Sequence, residues 1–206
     1  MIEFLKNTVE YQNFGWNVIT LGALGTVVFT GLQTWGFAKQ NRAIWDNRSG
    51  ESISVLVVGF LIAYSCAFFI YGIEMKKIAI LLGNMIIIPL IPTFIALCKY
   101  KNIKQYEWVL LAASFFAIPA MIWFPKDSVL SALFIVAYIF FLQQGYEVWK
   151  NGPGVLELRF IWATLISGAC WLLFAWKTDH WPIVIFNIAV APIWFYVLYR
   201  RYKTPP

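Results

Sequence analysis

The sequence predicts an all-α membrane protein of seven transmembrane helices, built as two parallel three-helix bundles joined by a connector helix, a 3+1+3 plan. Three observations lead there. The 206 residues are 61% hydrophobic and 19% aromatic, and only 13% are charged, against roughly 25% in soluble domains. Seven apolar stretches can be drawn, roughly at 20–38, 53–73, 78–98, 108–124, 129–146, 160–176 and 182–199, most of them near the ~20 residues a helix needs to cross the hydrocarbon. Finally, the chain repeats itself. Shifted by 104, Phe37 falls on Phe141, Gln40 on Gln144, Trp45 on Trp149, Asn47 on Asn151, Gly50 on Gly154, Leu61 on Leu165, Ile62 on Ile166 and Cys66 on Cys170. After the loss of one residue, Asn84 falls on Asn187 and Pro89 on Pro192.

Residues 1–19 form an outer lead-in, in which Trp16 either anchors at the headgroups or belongs to a partly ordered tail. No basic start, short apolar core and cleavage site occur in sequence, so a cleaved signal is not expected. Residues 20–98 make the first bundle. Its first span carries Gly22, Gly25, Gly31 and Gly36, which permit close helix approach, and Gln33, which either lines a pore or bonds a neighbouring helix. An inner loop follows at 39–54, with a turn signal at Ser49 and Gly50. Residues 99–127 hold the connector, whose helix runs from Glu107 to near Phe124 and has no counterpart in the repeat. Residues 128–202 make the second bundle, and 203–206 an inner tail. An odd number of spans between equivalent points gives both copies the same orientation, the arrangement in which a substrate site forms between two halves.

Basic residues set the orientation. Lys6, Lys76, Lys77, Lys126 and Lys177 share the N-terminal side, and the other eleven of the sixteen basic residues lie opposite. The positive-inside rule then puts the N-terminus outside and the C-terminus in the cytoplasm, with a plasma or inner membrane as the default. The net charge of +6 is therefore a topology signal, and nucleic-acid binding is not expected. Cys66, Cys98 and Cys170 fall in or at the end of spans, so a disulfide framework is not expected. His180 is the only histidine, and without a His/Cys/carboxylate cluster neither a metal nor another cofactor is expected.

An amide in hydrocarbon costs several kcal/mol unless it finds a partner. Two of them at matching places, Asn84 and Asn187, are read as facing each other or a shared ligand, with helix–helix hydrogen bonding as the other reading. Each lies five residues before a proline. Pro89 and Pro192 each remove a backbone N–H and can kink a helix, so they serve as hinges or as packing elements.

The chain at this point resembles the PQ-loop superfamily, and within it the SWEET sugar transporters. The resemblance covers about residues 20–202 and rests on Gln40 and Gln144, on the run from Arg48 to Ser54, similar to the family's K-S-x-E-G-x-S, and on the paired Asn84 and Asn187. It implies a sugar facing one Asn from each bundle, with Ser65 and Trp171 on the second helices beside it. Where the family has Pro before each Gln, this chain has Lys39 and Gln143. The hinge role near Gln40 and Gln144 is then expected to pass to Gly36 and Gly145.

The expected substrate-binding set is thus Asn84, Asn187, Trp171, Ser65 and Gln33. Facing amides both give and take hydrogen bonds, and Trp171 offers a flat wall to the C–H face of a ring or else packs against helices and lipid. The seven apolar stretches hold no Asp, Glu or His at membrane depth, where a proton-coupled carrier normally keeps one. The expected function is therefore uncoupled exchange of a small neutral solute, a sugar or polyol, by alternating access. A carrier of amino acids or other metabolites, and a membrane receptor sharing the fold, are the alternatives. An enzyme is not expected, since no nucleophile–base pair lies at depth. The expected partners are the neutral solute and the bilayer, with a homo-oligomer left open.

Overall fold

The computed structural model describes residues 2–154 and 156–203, all-helical without a strand among them. Seven helices are long and apolar enough to span a membrane: span 1 Val18–Asn47, span 2 Val55–Glu74, span 3 Ile78–Tyr100, span 4 Gln105–Trp123, span 5 Lys126–Asn151, span 6 Leu158–Lys177 and span 7 Trp181–Lys203. The expected tail beyond Lys203 lies outside the described residues.

Spans 1 and 5 run past their apolar stretches. The polar residues 39–47 continue span 1 as helix until Arg48, whose left-handed φ of 50° ends it, and Gly152 does the same for span 5 at φ 75°. Hydropathy marks only the lipid-facing part of such a helix, so the expected inner loop shrinks to residues 48–54. The turns between spans 2 and 3 and between spans 6 and 7 also use left-handed residues, Lys76 (φ 52°) and Asp179 (φ 55°). These two pairs of backbone reversals sit 104 and 103 residues apart, the spacing of the sequence repeat.

Proline explains the two broken helices. Pro89 cannot donate to the Met85 carbonyl one turn upstream, and the backbone tightens into a 3₁₀ turn at Asn84–Ile86. Pro119 acts likewise on span 4, where Phe115, Phe116 and Ile118 bond three residues back instead of four. Pro192, by contrast, sits inside an uninterrupted span 7. The repeat in sequence is therefore not matched by equal bending.

Packing closes a ring. Span 1 lies against spans 3 and 6, span 6 against span 7, span 7 against span 5, span 5 against span 2, and span 2 against span 3; span 4 packs on spans 2 and 5. The longest contact is between spans 1 and 6, which run antiparallel and touch through small residues. A Cβ on Gly22 would stand 3.1 Å from the Phe174 backbone, one on Gly25 2.7 Å from Cys170 Sγ, and one on Gly36 2.9 Å from Phe160 Cα. Gly31 of the same series meets nothing.

The lead-in contains helices Ile2–Lys6 and Val9–Gln12. Glu10 on the second accepts hydrogen bonds from the first two N–H groups of span 3, Ile78 (3.1 Å) and Ala79 (2.8 Å), where a carboxylate also meets the positive end of the helix dipole. Trp16 is 97% exposed.

Candidate functional site

Inside the ring, spans 1, 2, 3, 5, 6 and 7 bound a cavity of about 520 Å³, a size typical of small-molecule sites. Asn84, Asn187, Trp171, Ser65 and Gln33 all line it, as do Gln40, Gln144 and Pro192. Pro89, Gly36 and Gly145 do not. Gly36 instead lets span 1 approach Phe160, and a Cβ on Gly145 would sit 3.4 Å from Ile193 Cγ2.

Both asparagines are held in the same way. Asn84 Nδ2 donates to the Ile80 carbonyl at 2.9 Å, and Asn187 Nδ2 to the Ile183 carbonyl at 2.8 Å. A carbonyl only accepts, so the amide nitrogen must face it, and each side-chain oxygen is left pointing elsewhere. Neither amide bonds another helix among the described residues. Trp171 reaches from span 6 to span 3, its ring lying 2.7 Å from where a Cβ on Gly83 would be. Only glycine beside Asn84 admits an indole there. Each asparagine stands six residues into its helix, about 9 Å along the axis, in the half that starts at the Lys76 and Asp179 turns.

Gln33 combines a place on the cavity with a bond to a neighbouring helix. It lines the cavity, and its Nε2 donates to Thr164 Oγ1 on span 6 at 3.1 Å. One turn away Thr30 and Ser167 pair at 3.4 Å. Such bonds between helices in lipid contribute about 0.6 kcal/mol each.

The two glutamines belong to the far end. Gln144, 3% exposed, accepts from the Ser54 N–H at 2.8 Å and donates to the Ser52 carbonyl at 2.8 Å. Gln40, 1% exposed, accepts from the Glu157 N–H at 3.0 Å. Each thus joins the end of its own helix to the start of the antiparallel neighbour. Beside Gln144, the half-sequestered ion pair Lys101–Glu147 (3.2 Å) is tied to the Ile53 carbonyl by Lys101 Nζ at 2.6 Å.

The opposite end holds a second polar group. Tyr71 Oη donates to Asp127 at 3.0 Å, linking spans 2 and 5, and Glu74 pairs with Lys126 at 3.4 Å. Lys77 is buried, and that burial lowers it to about 8 against the pull of Glu10, Asp127 and Asp179. Burial, and after it the Lys77 charge, lowers His180 to about 4. Its ring meets Tyr71 edge-on at 6.0 Å.

Sequence reasoning missed the cavity's main material, its aromatic rings. Phe60, Tyr64 and Phe68 form a stacked ladder on span 2, with centroids 6.0 and 4.9 Å apart, and their four-residue spacing is a readable helical stripe. Phe134 and Phe186 stack at 4.5 Å across spans 5 and 7. The half-sequestered Lys101–Glu147 pair had no local signal, because Lys101 caps the end of span 3 and Glu147 lies on span 5.

No family model, curated protein or solved structure matches the chain.

Proposed function

We propose that the chain is an uncoupled carrier that exchanges a small uncharged solute across a membrane, as two three-helix halves, spans 1–3 and spans 5–7, rock about the cavity with span 4 as connector. The observation that carries the reading is Asn84 and Asn187 lining one cavity from spans 3 and 7, equivalent in the repeat and identically tethered. Around them, contacts cross between the halves at both ends of the cavity: Gln40, Gln144 and Lys101–Glu147 at one, Tyr71–Asp127 and Glu74–Lys126 at the other. Releasing one set while the other holds is what alternating access requires. The ring order of packing suits the division, since exchanging span 1 with 5, 2 with 6 and 3 with 7 leaves it unchanged.

Among the described residues no carboxylate or histidine lines the cavity, which favours uncharged cargo and motion without a proton. The resemblance to SWEET transporters adds sugars and polyols as the first solutes to try, and the basic-residue bias favours an outside N-terminus. Amino-acid carriers and peptide receptors of the same plan call for charged groups in the pocket.

Counterflow in proteoliposomes tests the proposal. A labelled neutral solute should accumulate transiently against unlabelled solute inside, at a rate indifferent to a pH gradient or membrane potential. Accumulation that follows the proton gradient, or binding without exchange for every solute bound, would remove the uncoupled carrier.

A further inference from the structure

We infer that the cavity selects an uncharged amphipathic solute, an apolar body of about ring size with hydroxyl or amide groups along one edge, over a fully hydroxylated sugar. The inference rests on the carrier reading only in taking the same cavity as the binding site. It begins from the polar groups left over after the protein has bonded itself. Gln144 uses both ends of its amide on the backbone of Ser52 and Ser54, Gln33 Nε2 is engaged by Thr164, and Thr30 and Ser167 share one hydrogen bond. Among the described residues, the lining groups with hydrogen-bonding capacity to spare include the Asn84, Asn187 and Gln33 oxygens, the Ser65 and Tyr64 hydroxyls and the indole N–H groups of Trp171 and Trp194.

These spare groups are not spread evenly. Asn84 and Asn187 both lie six residues from the same end of their helices, and Ser65 lies nine from that end of span 2. Rings line the asparagine half too, but they continue through the opposite half: Phe37 against Phe160 at 4.3 Å, Phe160 against Trp194 at 5.5 Å, Trp194 against Phe141 at 5.9 Å. A hexose offers hydroxyls all round its ring, and those facing this half would find the Trp194 indole N–H but otherwise rings, so most would lose water without gaining a partner, the most costly outcome for a polar group. A solute with its polar edge at the asparagine level and its apolar body among the rings leaves nothing unpaired.

One more observation points the same way. Ile188 and Phe195 line the cavity and are also 58% and 57% exposed, so the void reaches the lipid-facing side of the ring along span 7. A solute that divides itself between water and hydrocarbon meets that side.

The test measures equilibrium binding of tritiated glucose and tritiated phenyl β-glucoside to the full chain in lipid nanodiscs. Phenyl β-glucoside should bind at least tenfold tighter than glucose. Glucose binding equally or more tightly overturns the inference, and so does binding of neither probe. Counterflow of the same probes separates this from the carrier reading: phenyl β-glucoside bound tenfold tighter but never exchanged upholds the selectivity and removes the carrier, whereas glucose bound preferentially and exchanged does the reverse.

Discussion

The side-chain oxygen of Gln144 lies 2.8 Å from the backbone nitrogen of Ser54, 90 residues away in the chain. Ser54 is the N-cap of span 2, so the amide of one helix satisfies the exposed start of another. Gln40 repeats the relationship with Glu157, the residue before span 6. Gln144→Ala should cost about 1–3 kcal/mol, because both a donor and an acceptor of the buried backbone lose their partner. Thermal denaturation in detergent measures this, and a loss well under 1 kcal/mol would mean that water replaces the side chain.

Asn84→Ala and Asn187→Ala should separate function from folding. Each amide bonds only its own helix, so removing it should change stability by less than about 1 kcal/mol, the range of single side-chain hydrogen bonds in membrane helices. Solute exchange should nevertheless fall at least tenfold in each variant. Large destabilisation with exchange intact would show that these amides hold helices together.

Replacing Pro89 and replacing Pro192 should not be equivalent. Pro89→Ala restores a donor to the Met85 carbonyl and removes the reason for the 3₁₀ turn that positions Asn84, so exchange should slow. Pro192→Ala acts on a helix that is already regular and should leave the rate closer to its original value. Rates unchanged in the double variant would exclude a hinge role for both.

The glycines of span 1 make a paired test. Gly31→Ala meets no atom within 4 Å and should stabilise by about 0.5–1 kcal/mol through backbone entropy. Gly36→Ala places a methyl 2.9 Å from the Phe160 Cα and should push spans 1 and 6 apart, lowering the melting temperature. Equal effects would show that the antiparallel seam is not tightly packed.

Stability should fall in acid. His180 titrates near 6.5 when unfolded and near 4 in the folded chain, so between those values the unfolded state binds the extra proton. Its contribution is complete above about pH 6.5 and is lost as pH falls toward 4. Lys77 follows the same sign between about 8 and 10.5. The melting temperature should drop by a few degrees from pH 7 to pH 5, and His180→Gln, which cannot take a proton, should flatten that slope.

Single residues show how much was legible beforehand. Asn84 and Asn187 stood out because a lone amide in hydrocarbon demands a reason, and the repeat tied them together before any contact was known. Gly36 and Gly145 were harder, since a missing side chain reads equally as freedom and as close packing. Their surroundings decide that, and the surroundings come from span 6 and span 7. Lys77 counted only as one of five basic residues on the N-terminal side, yet it is buried, with Glu10 of the lead-in, Asp127 of span 5 and Asp179 of the turn before span 7 around it. Contacts between elements far apart in sequence leave no periodicity to read.

Glu10 ties the first dozen residues to the head of span 3 through two backbone nitrogens. A shortened version starting at the first apolar stretch would remove Glu10 and leave the first two nitrogens of span 3 without their carboxylate, beside the turn that carries Lys77 and about two helical turns from Asn84.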